Sequence, residues 1–366
     1  MQHFESYMSR CLQLARLGEY YVAPNPMVGA VLVLEARGDE AIRRLGDEVM
    51  RRLGDEVILG EGWHMQYGGP HAEPNCLRNA EEKHPEGIDY KRCTLYVSLE
   101  PCSHYGKTPP CAELIIRKGI GRVVIGCLDP NPQVAGRGVR MMQEAGVEVV
   151  VGVLEEECRA LNKRFICMQE KKRPYVILKW AQTADGYIDF RRSGDEAMRQ
   201  EGPLVISTPL MKQLVHQQRA ENMAIMVGTR TVLMDNPRLL TTHWSGKNPV
   251  RVTLDRHDAL PADSKIFSSE AETIVYREHT DWAFVLADLA RRNIHSVLVE
   301  GGARLLNAII DSGIYDEVHV EVSPLKVGCD TCGKGVKAPN YTFTSQPEII
   351  DGHCVYIEKN VKNLRN

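Results

Sequence analysis

Residues 101–111 read Pro-Cys-Ser-His-Tyr-Gly-Lys-Thr-Pro-Pro-Cys, and upstream of them residues 71–73 read His-Ala-Glu. His71, Cys102 and Cys111 together offer one nitrogen and two sulfur ligands, which suit a tetrahedral zinc ion with its fourth position open to water. An open position is typical of a catalytic site, because zinc lowers the pKa of the water toward neutrality and makes it a nucleophile.

The pattern indicates hydrolytic removal of an amino group. Glu73 lies two residues after the histidine and is expected to carry protons from the water to the leaving amine without binding the metal. Zinc deaminases of nucleobases combine His-x-Glu with Pro-Cys-x-x-Cys in this way. Here eight residues separate the cysteines, so His104 and Lys107 are held near the metal, where they can meet an anionic or polar substrate. The alternative is that both cysteines are ordinary buried thiols.

Length and composition favour a two-domain cytoplasmic enzyme. The chain has 366 residues, and its net charge is −3, so it lacks the basic excess that is typical of nucleic-acid binding. The first five residues show no signal-peptide pattern, and no apolar stretch approaches the ~18 residues of a membrane span. The 11 cysteines are scattered, which indicates reduced thiols in the cytosol.

The first half alternates between helix and strand. Apolar residues from Phe4 onward recur at helical spacing as far as Gly18, and Pro70 precedes a helix whose first turn should hold His71 and Glu73. We expect Cys102 to begin a second helix, whose dipole would favour a thiolate. The predicted strands cover residues 28–34, 57–60, 95–99, 122–127 and 147–151.

Two segments interrupt this alternation. Residues 43–50 and 51–58 repeat the same octapeptide except for its last residue, which we interpret as a lengthened hairpin loop. Residues 154–173 are rich in charge and predict a helical linker that ends before Pro174. The predicted domains are therefore residues 1–153 and 174–366.

The second half predicts another α/β domain with a largely parallel sheet. Its strands are expected at residues 175–181, 224–227, 250–254, 273–276, 296–299, 317–322 and 354–357, with helices at 208–219, 281–292 and 302–312. Gly301-Gly302 follows a strand and opens a helix, so free N–H groups can meet a phosphate there. Residues 228–237 predict a long loop after a strand, at the edge where ligands bind in such sheets.

The chain resembles the bifunctional deaminase–reductase family of riboflavin biosynthesis along nearly its full length. The motifs that carry the resemblance lie at residues 23–29, 71–73, 99–111 and 129–132 in the first half, and at 178–186, 227–229, 235–237 and 299–302 in the second. The resemblance implies a cytidine-deaminase-like three-layer α/β/α domain followed by a dihydrofolate-reductase-like α/β domain. It also implies a homo-oligomer formed through the reductase domain.

The implied activities are two consecutive steps. The first is hydrolytic deamination of 2,5-diamino-6-(5-phosphoribosylamino)pyrimidin-4(3H)-one at a site with one Zn²⁺. The second is reduction of the ribosyl chain to a ribityl chain with NADPH.

The resemblance implies a role for each residue that matches a family position. The zinc ligands would be His71, Cys102 and Cys111, with Glu73 as the catalytic proton carrier. The deaminase substrate would contact Asn25, His64, His104, Lys107, Asp129 and Asn131. The cofactor would contact Lys179, Ala181, Thr231, Asp235, Gly301, Gly302 and Ala303. The reductase substrate would contact Arg219, Leu239 and Glu300, with Arg219 on the phosphate because a guanidinium engages two oxygens, and Glu300 at the sugar end.

The second half departs from the family pattern at two places. Relatives carry Ser-x-Trp-Ile-Thr where this chain has residues 203–207, and Leu-Thr-Thr-Arg where it has Leu240-Thr241-Thr242-His243. Three hypotheses therefore stand: the bifunctional enzyme, an active deaminase with a degenerate structural reductase domain, and a non-enzymatic zinc-stabilised nucleic-acid-binding module. The pair Cys329 and Cys332 is interpreted as incidental.

Overall fold

The computed structural model describes residues 2–35, 56–105, 109–131, 135–190, 204–328 and 335–360. Lys107, the pair Cys329 and Cys332, Pro203, and most of the repeat at 43–58 lie outside these ranges. The chain divides into two compact units, Met1–Lys171 and Lys172–Asn366. This division places residues 154–171, which the sequence analysis treated as a linker, with the first unit.

The first unit is an α/β structure around one five-stranded sheet. Its helices are α1 (Gln2–Arg16), α2 (Ala72–Lys83), α3 (Cys111–Lys118), α4 (Arg137–Glu144), α5 (Glu155–Leu161) and α6 (Lys163–Lys171). Its strands are β1 (Gly29–Glu35), β2 (Glu56–Trp63), β3 (Cys93–Leu99), β4 (Arg122–Cys127) and β5 (Glu148–Val151). The strand order is β2-β1-β3-β4-β5, with β1 antiparallel to β2 and β3 and the last three strands parallel.

Helices cover both faces of this sheet, because successive side chains of a strand point to opposite faces. Ala30 and Leu32 of β1 belong to an apolar cluster that includes residues of α2 and α3. Val31 and Val33 belong to a second cluster that includes residues of α1 and α5. The predicted three-layer α/β/α arrangement is confirmed.

Helix α2 approaches strand β2 closely. A Cβ atom at Gly62 would lie 2.2 Å from the backbone nitrogen of Cys76 and 2.7 Å from the carbonyl oxygen of Ala72, so only glycine fits there. The close approach fixes the first turn of α2, which carries the predicted proton carrier Glu73.

The segment predicted as one linker helix forms two helices, α5 and α6, separated at Asn162. The Asn162 side chain accepts a hydrogen bond from the Met27 N–H (2.8 Å) and donates one to the Met27 carbonyl (2.9 Å). Cys158 of α5 is fully buried against the sheet. These contacts tie both helices to the first unit.

The second unit contains an eight-stranded sheet and a two-stranded sheet. Its helices are α7 (Pro209–Ala220), α8 (Thr229–Asp235), α9 (Trp282–Arg291) and α10 (Ala303–Ser312). Its strands are β6 (Tyr175–Thr183), β7 (Tyr187–Phe190), β8 (Ala224–Val227), β9 (Val250–Leu254), β10 (Thr273–Tyr276), β11 (Ser296–Val299), β12 (Glu317–Ser323), β13 (Gly335–Lys337), β14 (Glu348–Ile350) and β15 (His353–Lys359).

The large sheet has the order β10-β9-β8-β11-β6-β12-β15-β14. The first six strands are parallel to their neighbours, and β15 pairs antiparallel with both β12 and β14. The prediction of a largely parallel sheet is confirmed. Strand β6 lies near the middle of this sheet, so its carboxyl end opens onto the edge where ligands of parallel sheets bind.

The expectation of a long loop at residues 228–237 is wrong. Residues 229–235 form helix α8, which begins directly after Gly228 and ends at Asn236 in the left-handed conformation (φ 41°). Val232 of this helix packs with Ile225 and Val227 of β8, and that burial stabilises a helix that was not predicted from the local sequence. None of the described helices in either unit has both the length and the apolar composition that a membrane crossing requires.

Candidate active sites

Three ligating side chains meet in the first unit. His71, Cys102 and Cys111 form the one group of potential metal ligands found among the described residues, and their ligand atoms lie within 4.8 Å of one another. The His71 Nδ1 atom is 3.7 Å from Cys102 Sγ and 3.4 Å from Cys111 Sγ. Atoms bound to one tetrahedral zinc ion at its usual bond lengths lie about 3.5–3.8 Å apart, so the three residues fit zinc.

Each ligand comes from a different structural position. His71 is the extended N-cap residue of α2, Cys102 lies in the loop after β3, and Cys111 is the first residue of α3. The expectation that Cys102 begins a helix is wrong, since the described residues 101–105 and 109–110 are non-helical and the helix begins at Cys111. The Cys111 N–H nevertheless donates to Cys102 Sγ (3.3 Å), so the helix start still stabilises the Cys102 thiolate.

The two thiols have opposite pKa shifts. The hydrogen bond from Cys111 and then the neighbouring His71 lower the pKa of Cys102, against the effect of burial. The hydrogen bond to Cys102 and burial raise the pKa of Cys111. A bound cation would favour thiolates at both positions.

Glu73 lies in the first turn of α2 and is only 3% exposed. Burial and the charge of Cys102 raise its pKa to about 7, although His71 opposes the shift. A carboxyl group that titrates near neutral pH both accepts and donates protons readily. Its position beside the ligand cluster matches the predicted proton carrier.

Asn25 and His64 are hydrogen-bonded to each other next to the ligand cluster. The Asn25 amide nitrogen is 3.1 Å from His64 Nε2, and the Pro70 carbonyl oxygen is 2.9 Å from His64 Nδ1. Since the carbonyl only accepts and the amide nitrogen only donates, Nδ1 carries the proton and Nε2 accepts. Burial lowers the pKa of His64, which favours the neutral ring. The His64 and His71 ring centroids are 5.5 Å apart.

Asp129 and Asn131 form a tight turn after β4. The Asn131 N–H donates to Asp129 Oδ1 (2.8 Å), and burial raises the pKa of Asp129, while the charge of the exposed His104 opposes this shift. His104 and Asp129 therefore lie within electrostatic reach of each other. The sequence analysis placed both near the pyrimidine.

Glu100 is a site residue that the sequence analysis did not single out. Its buried carboxylate accepts hydrogen bonds from four backbone N–H groups, those of Asp129, Gly136, Gly138 and Val139 (2.9–3.3 Å). The carboxylate thereby fixes the loop that carries Asp129. The available signal was an acidic residue at the buried end of β3, directly before the motif at 101–111.

In the second unit, Arg219 and Glu300 are hydrogen-bonded to each other. Arg219 Nε donates to Glu300 Oε1 (3.0 Å), and Nη2 donates to Oε2 (2.6 Å). The side chains are 16% and 10% exposed. Arg219 and Glu300 were expected to hold opposite ends of the substrate, and in the structure α7 and the end of β11 bring the two charges into direct contact.

Lys179 of β6 lies close to the same ion pair. Burial lowers the pKa of Lys179, and the nearby carboxylates of Glu300 and Glu321 oppose that shift. Glu321 of β12 is 2% exposed and bonds to His353 Nδ1 (2.8 Å) and to the Ser207 hydroxyl (2.6 Å). Glu321 and His353 were not predicted as site residues, because only the pairing of β12 with β15 brings them together.

The predicted cofactor turn has the expected geometry. Gly302 is the N-cap of α10 with a φ of 66°, which favours glycine. A Cβ atom at Gly301 would lie 3.3 Å from Thr231 Oγ1, so Thr231 of α8 and the Gly301-Gly302-Ala303 turn are adjacent. Ala181 is half-buried on β6, and Asp235 is the last residue of α8.

A cavity of about 320 Å³ opens beside Arg219. Its lining residues come from α7, from the segment after α8 and from residue 265; they are His216, Arg219, Asn236, Pro237, Arg238, Leu239, Leu240, Thr242 and Lys265. Two predicted substrate residues, Arg219 and Leu239, therefore line one cavity, and Glu300 is bonded to the first of them.

Comparisons with known proteins agree with both halves. Residues 1–127 match the family model for the cytidine and deoxycytidylate deaminase zinc-binding region, and residues 174–353 match the RibD C-terminal domain. The riboflavin biosynthesis protein RibD of Actinobacillus pleuropneumoniae is 36% identical over 360 residues, which cover 91% of this chain and 86% of that protein. RibD of Bacillus amyloliquefaciens is 37% identical over an alignment of 387 positions, which covers 99% of this chain and 91% of that protein.

Solved structures give the same result. A diaminohydroxyphosphoribosylaminopyrimidine deaminase/5-amino-6-(5-phosphoribosylamino)uracil reductase from Thermotoga maritima superposes with a TM-score of 0.77 at 35% identity and covers 97% of both chains. RibD from Acinetobacter baumannii superposes with a TM-score of 0.78 at 29% identity and covers 97% of this chain and 98% of that one.

Proposed function

The chain belongs to the RibD family of riboflavin-biosynthesis proteins, and from this membership we propose the substrates of its two units and the residues that act on them. It is a bifunctional enzyme with a deaminase domain and a reductase domain. We propose that the first domain deaminates 2,5-diamino-6-(5-phosphoribosylamino)pyrimidin-4(3H)-one. The second domain then reduces the ribosyl chain of the product to a ribityl chain.

In the deaminase domain, His71, Cys102 and Cys111 would hold a zinc ion. When bound, zinc supplies a water of lowered pKa as the nucleophile. Glu73 accepts a proton from the attacking water and delivers protons to the departing amino group, so that water and the amine become a carbonyl group and ammonia. The pKa of Glu73, raised to about 7, suits a group that works in both directions.

The pyrimidine would lie against the side chains that border this cluster. Asn25 and Asp129 offer hydrogen-bonding groups to a base edge, and neutral His64 holds the Asn25 amide in place. Asn131, His104 and Lys107 complete the proposed substrate contacts. Glu100 acts through the loop that it fixes and is a positioning residue.

In the reductase domain, NADPH would supply the hydride. The Gly301-Gly302-Ala303 turn offers backbone N–H groups at the start of α10 to a cofactor phosphate, with Thr231, Asp235, Lys179 and Ala181 as further contacts. Glu300 would accept hydrogen bonds from ribose hydroxyls. Arg219 orients the Glu300 carboxylate through two hydrogen bonds, and Leu239 lines the cavity beside them.

The observation that carries the deaminase proposal is the fit of the three ligand atoms to one zinc ion beside a buried carboxyl group. Cys102→Ser tests it, and the intact second domain serves as an internal control. We expect loss of bound zinc and of ammonia release, with NADPH oxidation retained when the deaminated compound is supplied. Retained zinc and ammonia release would overturn the ligand assignment.

A second candidate is an active deaminase with a degenerate, structural reductase domain. The replacement of the family's Leu-Thr-Thr-Arg by residues 240–243 favours it, because a phosphate contact would then be lost. The absorbance of NADPH decides between the two candidates. A fall in absorbance with the deaminated substrate supports the bifunctional enzyme, and unchanged absorbance with intact ammonia release supports the degenerate domain.

We also propose that the enzyme acts in the cytoplasm as a homo-oligomer formed through the reductase domain. Support for a reducing compartment comes from the cysteines of the described ranges, all of which are free thiols. Sedimentation equilibrium of the full chain tests the oligomeric state, and a monomer at micromolar concentration would contradict it.

A further inference from the structure

The cavity beside Arg219 is lined by three permanently cationic residues, of which two already face a carboxylate. Arg219 is paired with Glu300, and Arg238 is paired with Glu270 through both Nε and Nη2. Among the residues that the structure describes, no carboxylate lies within ion-pair distance of Lys265. The unbalanced positive charge of the cavity therefore belongs to Lys265.

Three of the five N–H donors of Arg219 are already engaged. Its Nε and Nη2 atoms donate to Glu300, and its Nη1 atom donates to the Leu240 carbonyl (3.2 Å). The adjacent Glu300 carboxylate also repels an incoming phosphate. The Arg219–Glu300 pair is consequently suited to sugar hydroxyls rather than to a dianion.

His216 contributes a neutral donor to the same cavity. Its Nδ1 atom accepts a hydrogen bond from the Thr242 N–H (3.0 Å), which leaves the proton on Nε2. Burial, Arg219 and His243 lower the pKa of His216, and the His243 ring packs edge-on against it at 4.7 Å. His243 thus fills the space beside His216, at the position where relatives have an arginine.

The backbone of Lys265 is held on both sides. Its N–H donates to Asn236 Oδ1 (2.7 Å), and its carbonyl accepts from Arg251 Nη1 (3.3 Å). Arg251 is fully buried and also donates to the Ser268 hydroxyl (3.0 Å). A buried arginine is costly unless its donors are hydrogen-bonded, and these acceptors of Arg251 lie in the segment that carries Lys265.

We propose that Lys265 binds the 5′-phosphate of the reductase substrate, in the cavity that it shares with Arg219 and His216. Lys265 supplies the positive charge that the sequence around residue 243 lacks. The inference rests on the proposed function, because a phosphorylated sugar is taken as the substrate. The phosphate would then contact Lys265, which lies 22 positions after His243, the last residue of the altered motif at 240–243. The Arg219–Glu300 pair would contact the ribose.

The test compares Lys265→Gln with Lys247→Gln, which removes an exposed lysine outside the cavity lining. Each protein is assayed with the deaminated substrate and with the same compound after removal of its phosphate. We expect Lys265→Gln to raise KM for the phosphorylated compound by about 10–100-fold, the scale of a hydrogen bond to a charged group. The kcat, the KM for NADPH and the KM for the dephosphorylated compound should stay unchanged, and Lys265→Arg should restore most of the affinity.

Other outcomes overturn the assignment. A raised KM for NADPH would place a cofactor phosphate at Lys265, and equal losses for both forms of the substrate would make the residue structural. Calorimetric titration with ribose 5-phosphate measures the contact without turnover. Weaker binding by Lys265→Gln than by Lys247→Gln supports the contact even if no NADPH is oxidised, whereas equal binding excludes it. Failure of the proposed reduction is thereby distinguishable from failure of the phosphate assignment.

Discussion

Arg219 and Glu300 form a bidentate ion pair at the end of β11, with 2.6 Å between Arg219 Nη2 and Glu300 Oε2. The two residues are 81 positions apart in the chain and are mostly buried. Desolvation of both charges makes such a pair a weak source of net stability, but the loss of one partner leaves a buried charge uncompensated. The pair therefore links the orientation of the Glu300 carboxylate, a proposed substrate contact, to the stability of the reductase domain.

Replacing one member of the ion pair should lower the free energy of unfolding by more than replacing both members. We expect Arg219→Met to lower the free energy of unfolding of the second unit by about 3–5 kcal/mol, and Arg219→Met combined with Glu300→Leu to recover most of that loss. Urea unfolding followed by tryptophan fluorescence measures both, since Trp180, Trp244 and Trp282 lie in this unit. If the double variant is as unstable as the sum of the single variants, the two charges are not coupled.

The same pair should make the second unit sensitive to acid. Burial raises the pKa of Glu300, but the positive charges of Arg219 and Lys179 lower it by a larger amount. The pKa of Glu300 therefore lies below its ordinary value of 4.5. A carboxyl group of this kind stabilises the folded state above its ordinary pKa and loses that contribution as the pH falls through its folded pKa.

We therefore expect the urea concentration at the unfolding midpoint to decrease as the pH falls below about 4.5. The variant Glu300→Gln should not show this acid-dependent loss of stability. The variant Glu348→Gln, at an exposed position of β14, should show the same loss as the unaltered protein. Identical acid profiles for all three proteins would remove Glu300 as the cause.

Glu73→Gln should separate catalysis from metal binding. The substitution keeps the shape of the side chain but removes the proton carrier, so ammonia release should fall by about 10²–10⁴-fold. Zinc content should stay unchanged, because Glu73 is not a member of the ligand cluster. Glu113→Gln, a carboxylate in the first turn of α3 that bonds to Tyr105, is the matched control. Loss of zinc from Glu73→Gln would show that the role assignment is wrong.

Glu100→Gln should impair substrate binding from a distance. An amide offers one acceptor oxygen in place of two, and its NH₂ group would face N–H donors of the loop at 129–139, which costs about 1–3 kcal/mol. We expect a raised KM of the deaminase with zinc content preserved. A fall in kcat with unchanged KM would instead argue that Glu100 acts on the reacting atoms.

The sequence predicted the features that depend on short-range patterns. The proposed zinc ligands and Glu73 lie in two short motifs, and the start of α2 follows from Pro70, so their prediction needed no knowledge of distant contacts. The layer structure followed from the alternation of apolar runs with helical spacing. The turn at Gly301-Gly302 was predicted for the same reason, since glycine at a strand end permits its left-handed backbone.

The remaining features depend on tertiary contacts. The partners of Glu100 lie 29 to 39 residues away, and Glu321 finds His353 only after β15 pairs with β12. Helix α8 was missed because it is only seven residues long and is followed by Asn-Pro, a turn signal, while its stability comes from Val232 packing against β8. The contact between Arg219 and Glu300 was not predicted, because the two residues are 81 positions apart in the chain.

The two hydrogen bonds between Asn162 and Met27 have a practical consequence for dissecting the enzyme. Met27 lies two residues after Asn25, so residues that look like a spacer between domains support the backbone next to a proposed pyrimidine contact. A deaminase half that is produced alone and cut after Val153 would lack this brace and the buried Cys158. A half that runs to Lys171 retains both and is the smallest fragment that we would use for crystallisation or inhibitor screening.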